Sequence, residues 1–243
     1  MDAAELFLLE PGAPLEEQSE EVCPNFGQGY RPDLFVPEIR MREALDFATF
    51  WQYAGRLDSK YREEIPYWCI VWPGSRMLAR FALDENQKKP GLWKNRKVLE
   101  LGCGSGLASV AFGRCEAQVI ASDHDGQALK VARATARKNG LDLQTCHLDL
   151  FDDPEPALSK IQPGLMVMGD LFYEAGVASR AALWSKSAIA MGISVLVADP
   201  TRTYGPHKRP AEWGLSILQE ARVPVHKTVE NVKGRHTVLL GHV

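Results

Sequence analysis

Two short segments carry the glycines, acids and aromatics from which a binding or reacting site can be built. The first is Glu100-Leu101-Gly102-Cys103-Gly104-Ser105-Gly106, which closes an apolar run and opens a helical pattern. Glycines at Gly102, Gly104 and Gly106 let the backbone turn tightly and approach a ligand, and a helix N-terminus adds N–H donors and a positive dipole end. About twenty residues on, Asp123 closes the next strand-like run, where a carboxylate can accept both hydroxyls of a ribose. The second segment is Met168-Gly169-Asp170-Leu171-Phe172-Tyr173, in which Asp170 and Tyr173 make a D-x-x-Y spacing at the end of another apolar run. In doubly wound sheets ligands meet the carboxyl ends of strands beside the topological switch point, so both segments border one site.

A dinucleotide fingerprint, G-x-G-x-x-G/A, does not fit the loop, because Leu107 stands where the third small residue belongs. The acid Glu100, two positions before the first glycine, suits a ligand that carries a cation and would repel a pyrophosphate.

The elements that must position these residues alternate from Lys97 onward. The periodicity predicts a strand over 98–101, a helix over 106–115, a strand over 118–123 and a helix over 125–139 stopped by Gly140. Strands follow over 143–149, 165–170 and 194–199, with a helix over 175–191 between the last two. Residues 209–221 read as a helix, and 225–229 with 236–243 as an antiparallel pair. Alternating strands and helices mean a parallel sheet with right-handed crossovers. The expected class is α/β: a Rossmann-like, seven-stranded, mostly parallel sheet with an antiparallel last strand and helices on both faces. Before it, an acidic stretch broken by five prolines (residues 1–37) reads as a loosely held arm, and 38–58 as a helix laid on the domain. A short helix starts at Pro73, proline being well placed at a helix start. The division expected is an arm and helical extension over 1–64 and an α/β domain over 65–243.

Composition bounds the rest. The chain has 243 residues and a net charge of -3, without the basic footprint of a protein that coats nucleic acid or anionic membrane. Five cysteines without a C-x-x-C pair offer no metal spacing and suggest a reducing compartment. The first thirty residues hold seven acids and no Lys or Arg, unlike a secretory or mitochondrial leader, and no apolar run reaches membrane length. A cytoplasmic protein is expected.

Glu100 with G-x-G-x-G resembles motif I of the class I S-adenosylmethionine-dependent methyltransferases. The D-x-x-Y motif resembles the seven-strand lysine methyltransferases sometimes called methyltransferase family 16, and Tyr67-Trp68-Cys69-Ile70-Val71-Trp72-Pro73-Gly74 is similar to the aromatic entry segment of that group. Together with Ala198-Asp199-Pro200, these motifs look most like the electron-transfer-flavoprotein β-subunit lysine methyltransferases and their bacterial relatives, over residues 65–243. The resemblance implies S-adenosylmethionine as cofactor, met by Trp72, Glu100, Gly102, Gly104, Gly106, Asp123 and Gly169, with Asp149 and the Leu150 backbone at the adenine. It implies Asp170 and Tyr173 as catalytic residues in the acceptor channel, no metal, and a protein substrate, the flavoprotein β subunit, carrying the target lysine. Methyl transfer to an amine is mostly positioning and electrostatics, which suits these residue types.

Other features point less sharply. Arg202, His207, Lys208 and Arg209 make a basic loop on the site's edge, which could dock an acidic face or simply be solvated. Asp199 could cap a strand end or touch substrate, and His124 could touch the adenine rim or only face water. Cys103 has no neighbour that would lower its pKa. Trp184 and Trp213 read as core. A nucleic-acid amino-methyltransferase would favour N/D-P-P-Y/F where Asp170-Leu171-Phe172-Tyr173 stands; a small-molecule N-methyltransferase and a non-enzymatic scaffold of the same fold remain alternatives.

Overall fold

The computed structural model describes residues 29–242. Strands that must be buried on both faces read as near-continuous apolar runs, and the chain supplies them in β3 (Lys97–Leu101, interrupted by Glu100), β6 (Leu165–Gly169) and β7 (Ser194–Asp199). With β4 (Gln118–Asp123), β5 (Gln144–His147), β8 (Ser216–Pro224) and β9 (Gly234–His242) they form one sheet in the order β5-β4-β3-β6-β7-β9-β8. The first five strands are mutually parallel, and β9 runs antiparallel to both β7 and β8. The seven-stranded sheet with one antiparallel last strand is therefore as the sequence predicts.

Period-two alternation sends neighbouring residues to opposite faces. Val98, Val167 and Leu196 join one core with α2 (Pro73–Lys88), α3 (Leu107–Arg114) and α4 (Gly126–Lys138). Leu99, Met166, Met168, Val195 and Val197 join the other with α5 (Pro154–Ile161) and α6 (Ala175–Ala190). The strand order reverses between β3 and β6, so Gly102 and Asp170 leave adjacent strands side by side at the switch point.

Several boundaries differ from the sequence expectation. Residues 38–58 are not one helix: α1 spans Phe47–Leu57, capped by Asp46, whose side chain accepts from Thr49 N at 2.8 Å. The preceding segment is extended, with β1 (Arg31–Pro32) paired to β2 (Arg40–Met41), because Val36, Ile39 and Met41 are buried in the core beside α2. Most of the acidic arm, residues 1–28, lies outside the described residues. Its final part is not loosely held, since Asp33 is buried and paired with Arg76 at 2.8 Å.

Residues 209–221 are not a helix. A 3-10 turn (Pro210–Trp213) ends at Gly214 with φ 71°, and the chain then enters β8, whose ladder with β9 overrides the helical propensity of Leu, Gln, Glu and Ala. Residues 225–229 are turn rather than strand, so the closing pair is β8 with β9. Helix α5 has no counterpart in the expectation, although its signal is present: Asp153 accepts from Glu155 N at 3.3 Å and Pro154 opens the first turn. No described helix is long and apolar enough to cross a membrane.

Candidate active site

The carboxyl ends of β3, β4, β5 and β6 open into a cavity of about 800 Å3. Its floor is the glycine loop, where Gly104 has φ 49° and donates its N–H to Asp123 Oδ2 at 2.9 Å. A Cβ at Gly104 would find only Trp68 Cα, 3.9 Å away, so the space above the loop is open for a ligand. Asp123 is 8% exposed and also accepts the Asp125 N–H at 3.0 Å. Its carboxylate is thus fixed at the cavity wall beside Gly102 and Gly104.

Glu100 and Gly106 sit elsewhere. Glu100 is buried beneath the loop and accepts a hydrogen bond from the Ser109 hydroxyl; burial pushes its carboxyl up to about 8, against the pull of that bond. Gly106 packs against Ala132 of α4 at the start of α3. Neither lines the cavity. Burial likewise pushes the Cys103 thiol well up, which leaves it no thiolate character.

One end of the cavity is formed by Asp149, Leu150, Phe151, Val177 and Trp184. Asp149 accepts from Phe151 N at 2.9 Å, and the Leu150 carbonyl is held by Trp184 Nε1 at 3.0 Å and Arg180 Nε at 3.1 Å. Trp184 is thus core and site at once. The His124 imidazole lies 3.4 Å from Asp123, which raises its pKa and outweighs burial.

Asp170 stands at the other end in an unusual backbone state, with φ 62°. Its Oδ2 accepts from Gly74 N at 2.6 Å and Ser75 N at 3.3 Å, at the N-terminus of α2, where a negative charge is favoured. Its Oδ1 is buried without a partner among the described residues. Burial pushes the carboxyl up to about 7; Arg202 and the two N–H donors pull it down, and Asp199 adds to the rise. The approach of α2 depends on Gly74, because a Cβ there would overlap Asp170 Oδ2 and lie 2.8 Å from Ala198 O. Gly74→Ala is therefore expected to cost about 1–3 kcal/mol of stability by overpacking. A thermal melt checks this, and an unchanged midpoint would mean that α2 and Asp170 are not in this contact.

Aromatic rings wall this end. Tyr67 and Tyr173 lie 4.9 Å apart between centroids, and Tyr67 meets Trp72 edge-on at 5.6 Å. Trp72 Nε1 donates to Tyr67 O at 2.7 Å, which fixes the ring. Above it, the Arg202 guanidinium lies 5.9 Å from the Trp72 ring, and Arg202 Nη1 pairs with Glu230 Oε1 at 3.0 Å. Asp199 does not line the cavity. It is fully buried and accepts from Arg202 N at 2.9 Å and from His207 Nδ1 at 2.6 Å, so it ties down the loop after β7. Lys208 and Arg209 of that loop do not reach the cavity.

The N-terminal extension supplies a wall the sequence did not reveal. Asp125 accepts from Lys60 Nζ at 2.6 Å, Tyr61 OH at 2.7 Å and Trp68 Nε1 at 3.0 Å, while its own N–H holds Asp123. Tyr67, Arg202, Glu230 and Arg235 also line the site. Their only sequence signals are the aromatic run at 67–72 and the basic loop after β7; Glu230 and Arg235 had none.

The methyltransferase small domain family matches residues 70–161. The electron transfer flavoprotein beta subunit lysine methyltransferase of Xenopus laevis is 34% identical over 175 residues, covering 70% of this chain and 65% of that protein. The Homo sapiens protein of the same name is 30% identical over 201 residues, covering 80% of this chain and 67% of that one. The chain therefore spans somewhat less than two thirds of the Xenopus relative's length. Among solved structures, a putative SAM-dependent methyltransferase from Streptococcus mutans is 14% identical with a TM-score of 0.51, covering 71% of this chain and 50% of that one, a likeness of fold.

Proposed function

The chain belongs to the electron transfer flavoprotein beta subunit lysine methyltransferase family, and from this we propose that it is a protein-lysine N-methyltransferase using S-adenosylmethionine, with the flavoprotein β subunit as acceptor. The observation that carries the reading is Asp170. One carboxylate oxygen is anchored on α2, and the other is buried without a partner in the wall of an aromatic-lined cavity. A group there needs a donor, and a lysine amine is one.

The residues present fit the cofactor. The open cradle over Gly104 leaves room for a backbone-hugging ligand, Asp123 offers a carboxylate that could meet a ribose, and Asp149 with Leu150 lines the far end of the cavity, where a flat base would lie. S-adenosylmethionine, when bound, supplies an electrophilic methyl group on a sulfonium. Trp72 presents an aromatic face, which favours a cation, and Gly169 lets the neighbouring backbone come close. Glu100 acts from behind the loop by holding Ser109 of α3. Tyr173 and Tyr67 confine the acceptor side chain, and Asp170 holds its nitrogen by the free oxygen. The compartment that goes with this reading is the cytoplasm, where buried thiols such as Cys103 and Cys146 stay reduced.

Asp123→Ala is expected to weaken binding of S-adenosylhomocysteine by about 1–3 kcal/mol, the scale of a lost charge-assisted hydrogen bond. Calorimetry reads this directly. Unchanged affinity would remove Asp123 from the cofactor site, and tighter binding of NAD would overturn the cofactor itself.

A further inference from the structure

A lysine reaches this cavity as a cation with a pKa of about 10.4 and must lose a proton before its nitrogen can attack. Asp170 draws the cation in, but its negative charge also favours keeping the proton. A positive charge on the same cavity opposes that. We propose that Arg202, set by Glu230, is a positioning residue for the methyl transfer, its guanidinium holding the acceptor amine in the neutral form beside Asp170. The inference rests on the lysine-acceptor reading above.

Arg202 is rigidly placed. Its backbone N–H sits on Asp199 at 2.9 Å, its Nη1 on Glu230 at 3.0 Å, and its guanidinium against Trp72 at 5.9 Å, while its Nε is buried without a partner among the described residues. It faces the same cavity as the unpartnered Asp170 Oδ1. Its charge reaches that carboxylate, since Arg202 pulls the Asp170 carboxyl down against burial. The proton leaves the ammonium nitrogen for bulk water, and its N–H bond pair becomes the nitrogen lone pair; a bound S-adenosylmethionine would supply the methyl group, its carbon–sulfur bond pair staying on sulfur as S-adenosylhomocysteine leaves. Asp170 returns to its anionic, amine-holding role with no net proton change.

Glu230 sets the strength of this effect because it serves two cations. It binds Arg202 and also accepts from Arg235 Nε, so the three side chains carry one net positive charge. Removing the Arg202 charge leaves a neutral Arg235–Glu230 pair. Removing the Glu230 charge leaves two uncompensated guanidiniums. The two changes must therefore move the acceptor amine in opposite directions. The other ionisable groups on the cavity wall are Tyr173 and Glu174 after β6, Asp123 at the end of β4 with His124 and Asp125 after it, and Asp149 after β5. Glu63, Glu64 and Tyr67 face it from the N-terminal side. All are common to every variant, so differences report Arg202 and Glu230.

The test compares Arg202→Met, Arg202→Lys and Glu230→Gln with the wild type, using purified flavoprotein β subunit as acceptor and measuring kcat against pH. A second readout is the NMR titration of ε-13C-labelled lysines of that subunit bound to each enzyme with S-adenosylhomocysteine, which gives the acceptor's pKa without turnover. Arg202→Met is expected to move the rising alkaline limb and the lysine titration up by about one pH unit, the scale of one nearby charge. Glu230→Gln is expected to move both down by a similar amount, and Arg202→Lys to stay near the wild type. If Arg202→Met does not fold, Glu230→Gln alone decides. Midpoints that stay in place in the folded variants, or move in the same direction, would make Arg202 a strut and overturn the inference. A wild type that methylates no lysine would overturn the underlying reading, whereas lysine methylation with unmoved midpoints would overturn this inference alone.

Discussion

Replacing Asp170 with Asn is expected to cut turnover on the flavoprotein β subunit by about a hundredfold or more, the scale of removing one preorganised electrostatic group. Affinity for S-adenosylhomocysteine should change little. Asn is nearly the same size, so the Gly74 and Ser75 N–H groups keep an oxygen to bond, and the α2 contact survives. What disappears is the charge that faces an arriving ammonium. The loss should therefore fall on kcat/KM for the protein substrate and not on the cofactor. The wild-type rate should climb from about pH 7 toward about pH 9 as the neutral amine becomes populated. Asp170 works in the same direction: burial places its carboxyl at about 7, so its anionic form also grows above that pH. In the Asn variant only the amine's titration remains. A variant with wild-type turnover would remove Asp170 from the acceptor channel.

Arg76→Met is expected to destabilise the protein by about 3–5 kcal/mol, because removing one partner of a buried ion pair leaves an uncompensated charge. Arg76 is fully buried on α2. Its Nε meets Asp33 at 2.8 Å, its Nη2 meets both oxygens of Glu43 at 3.2 Å, and its Nη1 meets the Val71 carbonyl at 2.9 Å. Asp33 in turn receives Phe35 N and Val36 N, so the guanidinium is the centre on which the extension folds. The same helix presents Gly74 to Asp170, and a loosened α2 should lower activity at temperatures well below global unfolding. Chemical denaturation gives the number. A double variant in which Asp33 is also made apolar should recover part of the loss, and a loss below about 1 kcal/mol in Arg76→Met would place the pair in solvent.

What was legible in the sequence is what local periodicity and backbone chemistry dictate. The strands 98–101, 118–123 and 194–199 are written as apolar runs, and the loop glycines and strand-end acids fall at fixed offsets from them. Helix 209–221 failed because edge-strand pairing with β9 is nonlocal, and its residues have no local preference for the ladder. The same limit hid the long-range contacts. Arg76 and Asp33 are 43 positions apart, Gly74 and Asp170 are 96 apart, and nothing near either partner announces the other. Glu100 shows a subtler gap: its type and offset suggested a ligand contact, but the pleat turns its side chain under the loop toward Ser109. The Trp-Pro-Gly segment was visible as a motif, while the reason for its glycine required the position of Asp170 Oδ2.

Methyl transfer to a protein lysine can be read straight from the labelled product. Purified chain is incubated with methyl-labelled S-adenosylmethionine and the electron transfer flavoprotein β subunit, and the products are mapped by tandem mass spectrometry. Label is expected on lysine ε-nitrogens of the β subunit, cut by about a hundredfold or more in Asp170→Asn. Label confined to a small amine or to nucleic acid, with every lysine unmodified, would contradict it.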